Sequence, residues 1–146
     1  TILKPEQVTQ AKDSGASFGV SPGTNISIIE AAKNADLPFA PGIMTPSDIE
    51  STLDYGCELL KFFPAGSSGG IKHLKNISAP YAHLGLKYIP LGGVNEENMN
   101  DYLREDIIAA VGGSWIASRE NINSNNWKQI KANAESAILN SQRTSQ

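Results

Sequence analysis

At 146 residues the chain is the length of one domain and can bury a core of reasonable size, so it is read as a single domain spanning residues 1–146. A formal net charge of -3, a pI near 5.3 and the lack of a basic run argue against nucleic acid or an anionic membrane as the main partner. A single cysteine, Cys57, rules out an intrachain disulfide framework, and neither a membrane-length apolar run nor a signal-peptide pattern is present, which points to a soluble cytoplasmic protein.

Lys4 and Pro5 open a helix that runs through Val8 and Ala11 to about Ser14, where Gly15 closes it. Ser17 to Val20 reads as a short strand and Ser21-Pro22-Gly23 as a turn. Thr24 or Asn25 then caps a helix carrying Ile28, Ile29 and Ala32 at helical spacing. Leu37 to Ala40 forms a second strand running into Pro41-Gly42. Thr45 caps the next helix, with Pro46 in its first turn and Ile49 and Leu53 as its buried stripe. After Gly56 comes the apolar run Glu58 to Ala65, then Gly66 to Gly70 and a helix over residues 71–77 that Ala79-Pro80 breaks. Lys87 to Leu91 is the fourth strand, ending in Gly92-Gly93, and Asn95 caps a helix through Met99 and Leu103. Ile107 to Val111 is the fifth, ending in Gly112-Gly113-Ser114. One long helix, capped by Asn123 or Ser124, carries Trp127, Ile130, Ala134, Ala137 and Ile138 on one stripe, and residues 142–146 fray. Short apolar strands starting 20 to 30 residues apart, each followed by a helix, indicate βαβ units and a parallel α/β sheet.

The third strand carries one lysine in its middle. Alternation puts Leu59, Lys61 and Phe63 on one face and Leu60 and Phe62 on the other, so Lys61 has apolar neighbours. Burial disfavours the ammonium, and a fall from the ordinary lysine value to about 7 corresponds to roughly 4 kcal/mol. A neutral amine is a nucleophile suited to Schiff-base chemistry with a carbonyl. The competing reading is a lysine whose stem lies along the strand while its head reaches water. Glu58, the nearest carboxylate in sequence, falls on the opposite face.

In parallel α/β folds ligands bind beyond the carboxyl ends of the strands. Two strands here end in paired glycines, which let backbone amides approach an anion closely. Gly92, Gly93, Gly113 and Ser114 are the candidate phosphate cradle, and the competing reading is that they only make tight turns. His73 and His83 lack metal-ligand spacing with any carboxylate or with Cys57, so they read as surface residues, and no metal or cofactor is expected. Cys57 and Trp127 read as packing residues, and Trp115 as a core or interface residue.

Lys61-Phe62-Phe63-Pro64-Ala65, preceded by Asp54-Tyr55-Gly56 and followed by Gly69-Gly70, resembles the Schiff-base strand of the 2-keto-3-deoxy-6-phosphogluconate (KDPG) / 4-hydroxy-2-oxoglutarate aldolase family. Ser21-Pro22-Gly23, Pro41-Gly42-Ile43, Gly92-Gly93 and Gly113-Ser114-Trp115 match the same family in order and at compatible spacing. The resemblance implies a class I aldolase of the Entner-Doudoroff pathway, a TIM (β/α)8 barrel and a homotrimer. The reaction it implies is cleavage of KDPG to pyruvate and glyceraldehyde 3-phosphate without a metal. It implies that Lys61 forms the imine, that Thr1 and Pro22 line the pocket, and that Gly92, Gly93, Gly113 and Ser114 hold the substrate phosphate. Leu91 stands where the family commonly has threonine, and Gly66 where a glutamate often follows.

The same resemblance aligns Thr1 with the end of the family's third strand. The fold expected is therefore the C-terminal five βα units of the barrel, with the N-terminal portion, the acid/base glutamate and the carboxylate-gripping arginine lying outside this chain. Two unpaired sheet edges and an uncovered apolar face follow from that expectation. Other readings are a non-catalytic phospholigand-binding domain, and a phosphate-binding isomerase or synthase in which Lys61 acts electrostatically.

Overall fold

The structure, a computed structural model, describes residues 1–142, so most of the fraying expected at residues 142–146 lies outside the described residues. Helix α1 (Glu6–Asp13) starts after Pro5, and the Gln7 side-chain oxygen accepts from the backbone N–H groups of Leu3 and Lys4. Strand β1 (Gly19–Val20) leads to α2 (Ile26–Asn34), capped by the Asn25 side chain on the Ser27 N–H. Strands β2 (Phe39–Ala40) and β3 (Gly42–Ile43) flank Pro41. A full capping box opens α3 (Pro46–Leu53): Thr45 accepts from the Asp48 N–H while the Asp48 carboxylate accepts from the Thr45 N–H.

Strand β4 (Leu59–Phe62) is followed by α4 (Gly70–Ser78) and a 3-10 helix (Ala79–Leu84), and strand β5 (Lys87–Pro90) by the short α5 (Met99–Leu103). The chain then makes α6 (Arg119–Asn123) and α7 (Trp127–Gln142).

The strands form two small parallel sheets, β1-β2 and β3-β4-β5. In register, Gly42 faces Lys61 and Leu60 faces Tyr88. Leu60 and Phe62 are 0% exposed and anchor a core with Ile43, Ile49, Leu74, Tyr88, Met99 and Tyr102. A smaller cluster of Ile2, Val8, Ile28, Ala32 and Leu37 holds α1 and α2 together. No helix among the described residues is long and apolar enough to cross a membrane.

This architecture corrects the expectation of a C-terminal run of five βα units from a TIM (β/α)8 barrel with its N-terminal portion absent. The chain is α/β, but the regular pairing is divided into sheets of two and three strands with the break at Pro41, which has no N–H to donate to a ladder. The strand expected over residues 107–111 is reduced to one bridge, Tyr88 to Ile108. Its irregular partner bonds run from the Tyr88 N–H to Ile107 O and from the Ala109 N–H to Tyr88 O. The long C-terminal helix expected is present as α7, but its cap is neither Asn123 nor Ser124, and a short separate helix, α6, precedes it. Ser118 caps α6, and Asn126 supplies the acceptor at the start of α7. Its expected apolar stripe is not a buried stripe either: Ala137 is buried, whereas Trp127 and Ile138 are 59% and 58% exposed.

Gly42 shows why the sheet junction tolerates no side chain. A Cβ there would lie 2.2 Å from the backbone carbonyl of Pro22. Gly42→Ala is expected to destabilise by about 1–3 kcal/mol through forced backbone displacement, and Phe62→Ala by about 3–5 kcal/mol through the cavity it leaves. Urea unfolding of both variants checks the two values.

Candidate active site at the carboxyl ends of the strands

Lys61 sits in the central strand, its backbone N–H donating to Pro41 O at 2.8 Å. Its side chain lies on the face opposite Leu60 and Phe62 and is part of a residue only 5% exposed. The ammonium nitrogen lies 4.7 Å from the centroid of the Phe63 ring. No salt bridge to Lys61 occurs among the described residues. Two effects oppose each other here. The aromatic face favours the charged form by about 0.5–2 kcal/mol, while burial without a counter-ion disfavours it by more. Burial wins, and the amine is held below its ordinary value of 10.5.

Around Lys61 the strand-end loops interlock. The Ala65 N–H donates to Leu91 O at 2.8 Å and the Gly66 N–H to Gly92 O at 2.7 Å, zipping the loop after β4 to the loop after β5. Gly92 and Gly93 both have positive φ, +87° and +82°, which a side-chain-bearing residue adopts only under strain. A Cβ on Gly92 would also press on the Phe63 ring at 3.0 Å, and one on Gly66 would meet Gly93 Cα at 3.2 Å. A side chain at position 66 would thus need the loop after β5 to shift by a few tenths of an ångström.

Gly113 lies close to Val94, and the Trp115 ring folds over it at 2.1 Å from where a Cβ would stand. Ser114 is exposed. Pro22 belongs to a turn closed by the Ser21 hydroxyl on Gly23 O at 2.7 Å, and Thr24 ties that turn to Gly42 O at 2.8 Å. A cavity of about 310 Å³ opens between this turn and β4, lined by Pro22, Gly42, Met44, Asp48, Phe63 and Pro64 among others.

The structure therefore gathers Pro22, Phe63, Gly92 and Gly93 close to the lysine strand and sets Gly113 beside Val94. Thr1 is exposed, and its neighbour Ile2 bonds to Val20 O at the carboxyl end of β1. Asp48 and His73 were not singled out for this region by sequence. His73 was read as a surface residue, yet its ring stacks on Phe62 with centroids 6.0 Å apart and its Nε2 lies 3.0 Å from Met44 O. Asp48 Oδ2 accepts from the N–H groups of Met44 and Thr45 and from the Thr45 hydroxyl, so that oxygen is committed to the helix cap. The Thr45-to-Asp48 spacing was the available signal for that commitment. Among the described residues no group of three or more His, Cys, Asp or Glu side chains comes together as a metal-ligand set.

A family model described as KDPG and KHG aldolase matches residues 1–133. The chain belongs to this family. It is 44% identical over 130 residues to the 2-dehydro-3-deoxy-phosphogluconate aldolase of Haemophilus influenzae, covering 89% of this chain and 60% of that protein. It is 33% identical over 138 residues to the KHG/KDPG aldolase of Escherichia coli K12, covering 94% of this chain and 64% of the relative. A KDPG aldolase of Legionella pneumophila, solved with pyruvate captured as a covalent carbinolamine intermediate, superposes at a TM-score of 0.84 with 35% identity over 95% of this chain and 65% of its own. The chain thus spans about three fifths to two thirds of the length of the relatives it matches. The superposition rests on the α/β arrangement of two small parallel sheets, which overturns the barrel-fragment reading.

The buried lysine sets a pH dependence whose sign follows from proton counting. Between the folded and unfolded pKa values the unfolded chain binds more protons, so stability rises with pH through that window. The penalty for charging Lys61 is full below the folded value and fades as pH approaches 10.5. Lys61→Met is expected to be more stable than the parent at neutral pH by about 1 kcal/mol, with the difference shrinking toward alkaline pH. Paired urea melts from neutral to alkaline pH measure this, and a gap that does not change with pH contradicts it.

Proposed function

We propose that this single domain acts in a class I aldolase that cleaves KDPG to pyruvate and glyceraldehyde 3-phosphate, with Lys61 as the imine-forming nucleophile. The observation that carries the reading is a lysine buried without a counter-ion in the central strand of a chain belonging to the KDPG and KHG aldolase family. The carbinolamine held by the Legionella pneumophila relative supports the same chemistry here.

In the proposed reaction the neutral Lys61 amine adds to the keto carbon, C2, and the carbinolamine loses water to give a protonated imine. The C3–C4 bond then breaks as the C4 hydroxyl gives up its proton. The bonding pair moves to C3 and into the imine, which becomes an enamine, and the aldehyde leaves. Protonation at C3 and addition of water release pyruvate and restore the amine. The low exposure of Lys61 keeps the amine neutral more readily than a surface lysine. Pro22 and Thr1 are proposed to line the substrate mouth, and Gly92, Gly93, Gly113 and Ser114 to hold the phosphate through backbone N–H groups and the serine hydroxyl. The positive φ values of Gly92 and Gly93 support that role, because successive N–H groups in such turns make anion-binding concavities. The family resemblance further supports a homotrimer working in the cytoplasm.

Incubation with pyruvate and borohydride is expected to add one reduced pyruvate adduct, mapped to Lys61 by mass spectrometry, and Lys61→Ala is expected to lose both the adduct and aldol cleavage. An adduct retained in Lys61→Ala, or none in the parent, would sink the assignment. Phosphate-dependent thermal stabilisation without any pyruvate release would favour the non-catalytic phospholigand-binding reading.

A further inference from the structure

The turn proposed to hold the phosphate is fixed one peptide at a time. Across a trans peptide the carbonyl oxygen of one residue and the N–H of the next point in opposite directions, so whatever grips the oxygen aims the N–H the other way. Leu91 O accepts from the Ala65 N–H and Gly92 O from the Gly66 N–H, so the backbone of the loop after β4 sets two of these peptides. The third is held by a side chain: Gly93 O accepts from Asn98 Nδ2 at 2.9 Å. The N–H groups of Gly92, Gly93 and Val94, which lie opposite these three oxygens, donate to no group among the described residues.

Asn98 is well placed to keep that bond. Its Oδ1 accepts from the Asn95 N–H at 2.9 Å while Nδ2 reaches Gly93. With an N–H on one side and a carbonyl on the other, only one orientation of the amide satisfies both. The residue that follows, Met99, is 2% exposed and anchors the start of α5 in the core. Glu96 turns its carboxylate toward Ser136 and Asn140 of α7. Gly93, at φ +82°, has no side chain to restrict it. Released from Asn98, the Gly93–Val94 peptide is free to rotate and to present its oxygen where an anion would lie.

We propose that Asn98 is a positioning residue for phosphate recognition: by holding the Gly93 oxygen it aims the Val94 N–H at the phosphate and keeps the carbonyl out of the anion's place. The inference rests on the proposed aldolase reading for the keto acid that carries the phosphate. Imine formation involves the other end of that substrate, so Asn98 governs binding of the phosphate and leaves the reaction of Lys61 with a keto carbon untouched.

Two variants isolate the donor. Asn98→Ala removes it without adding charge, and Asn98→Asp removes it while keeping the acceptor that the Asn95 N–H uses. Titration with inorganic phosphate, followed by NMR at the backbone amides, is expected to shift Gly92, Gly93 and Val94 in the parent and to bind about tenfold more weakly in both variants. Cleavage of KDPG is expected to show KM raised about tenfold with kcat little changed, whereas borohydride trapping of pyruvate, which has no phosphate, keeps the parent rate. The inference is overturned by an unmoved Val94 amide in the parent, by undiminished phosphate affinity in the variants, or by a loss of pyruvate trapping that matches the rise in KM. Failure of the aldolase reading looks different: the parent forms no adduct at Lys61, and the phosphate titration still decides the role of Asn98. The parent's Val94 shift is decisive even where a variant folds poorly.

Discussion

Pairing of β4 on both edges is the interaction on which the rest of the molecule depends. Lys61 donates to Pro41 O on one side, Leu91 donates to Phe62 O on the other, and the two flanking strands fix the central one in register. With the backbone satisfied, alternation does the remaining work. Leu60 and Phe62 go into the helix-covered core, and the residue between them has only the other face to occupy. Lys61 is buried there because its neighbours in sequence must be buried on the reverse side. The chemical character of the amine is thus a consequence of strand geometry and core packing.

Glycine at the strand ends lets the loops beside the lysine strand pack closely. Gly92 and Gly93 take positive φ, and the loop after β4 closes onto the loop after β5 through two backbone hydrogen bonds. A side chain at Gly42 would collide with the Pro22 backbone, and one at Gly66 or Gly92 would press on the Gly93 backbone or the Phe63 ring. These close approaches let the loops pack with little or no side chain between them. The tightness also explains why the turn at Pro22 is a fixed wall: its serine hydroxyl and Thr24 tie it to its own loop and to Gly42.

Much of this was legible in the sequence because it is local. The apolar alternation of residues 59–63 gives the faces of β4, the Asn25 and Thr45 caps mark the starts of α2 and α3, and the paired glycines mark two turns. Where the reading failed, the cause was tertiary. Ile107 to Val111 has the composition of a strand but makes a single bridge, to Tyr88, because Pro90, the next residue of β5 on that edge, has no N–H to continue the ladder. The division into two small sheets at Pro41, which overturned the expected run of barrel units, follows from the N–H that proline lacks and from the register of its neighbours. Along the apolar positions of the last helix Ala137 is buried in the core, Ile130 and Ala134 are half-buried and Trp127 and Ile138 are exposed, so helical spacing there described a face that its neighbours cover only in part.

By itself the sequence determined the α/β class, the family, and the identity of the one lysine on an apolar strand, since each of these is carried by composition, spacing and period. Tertiary structure alone decided that His73 stacks on Phe62, that Asp48 is committed to a helix cap beside the cavity, and that the Tyr88 hydroxyl is buried without a partner. The physical reason is the range of the interactions. Periodicity and capping act over a few residues, whereas burial, electrostatic environment and the convergence of loops depend on segments tens of residues apart being brought into contact.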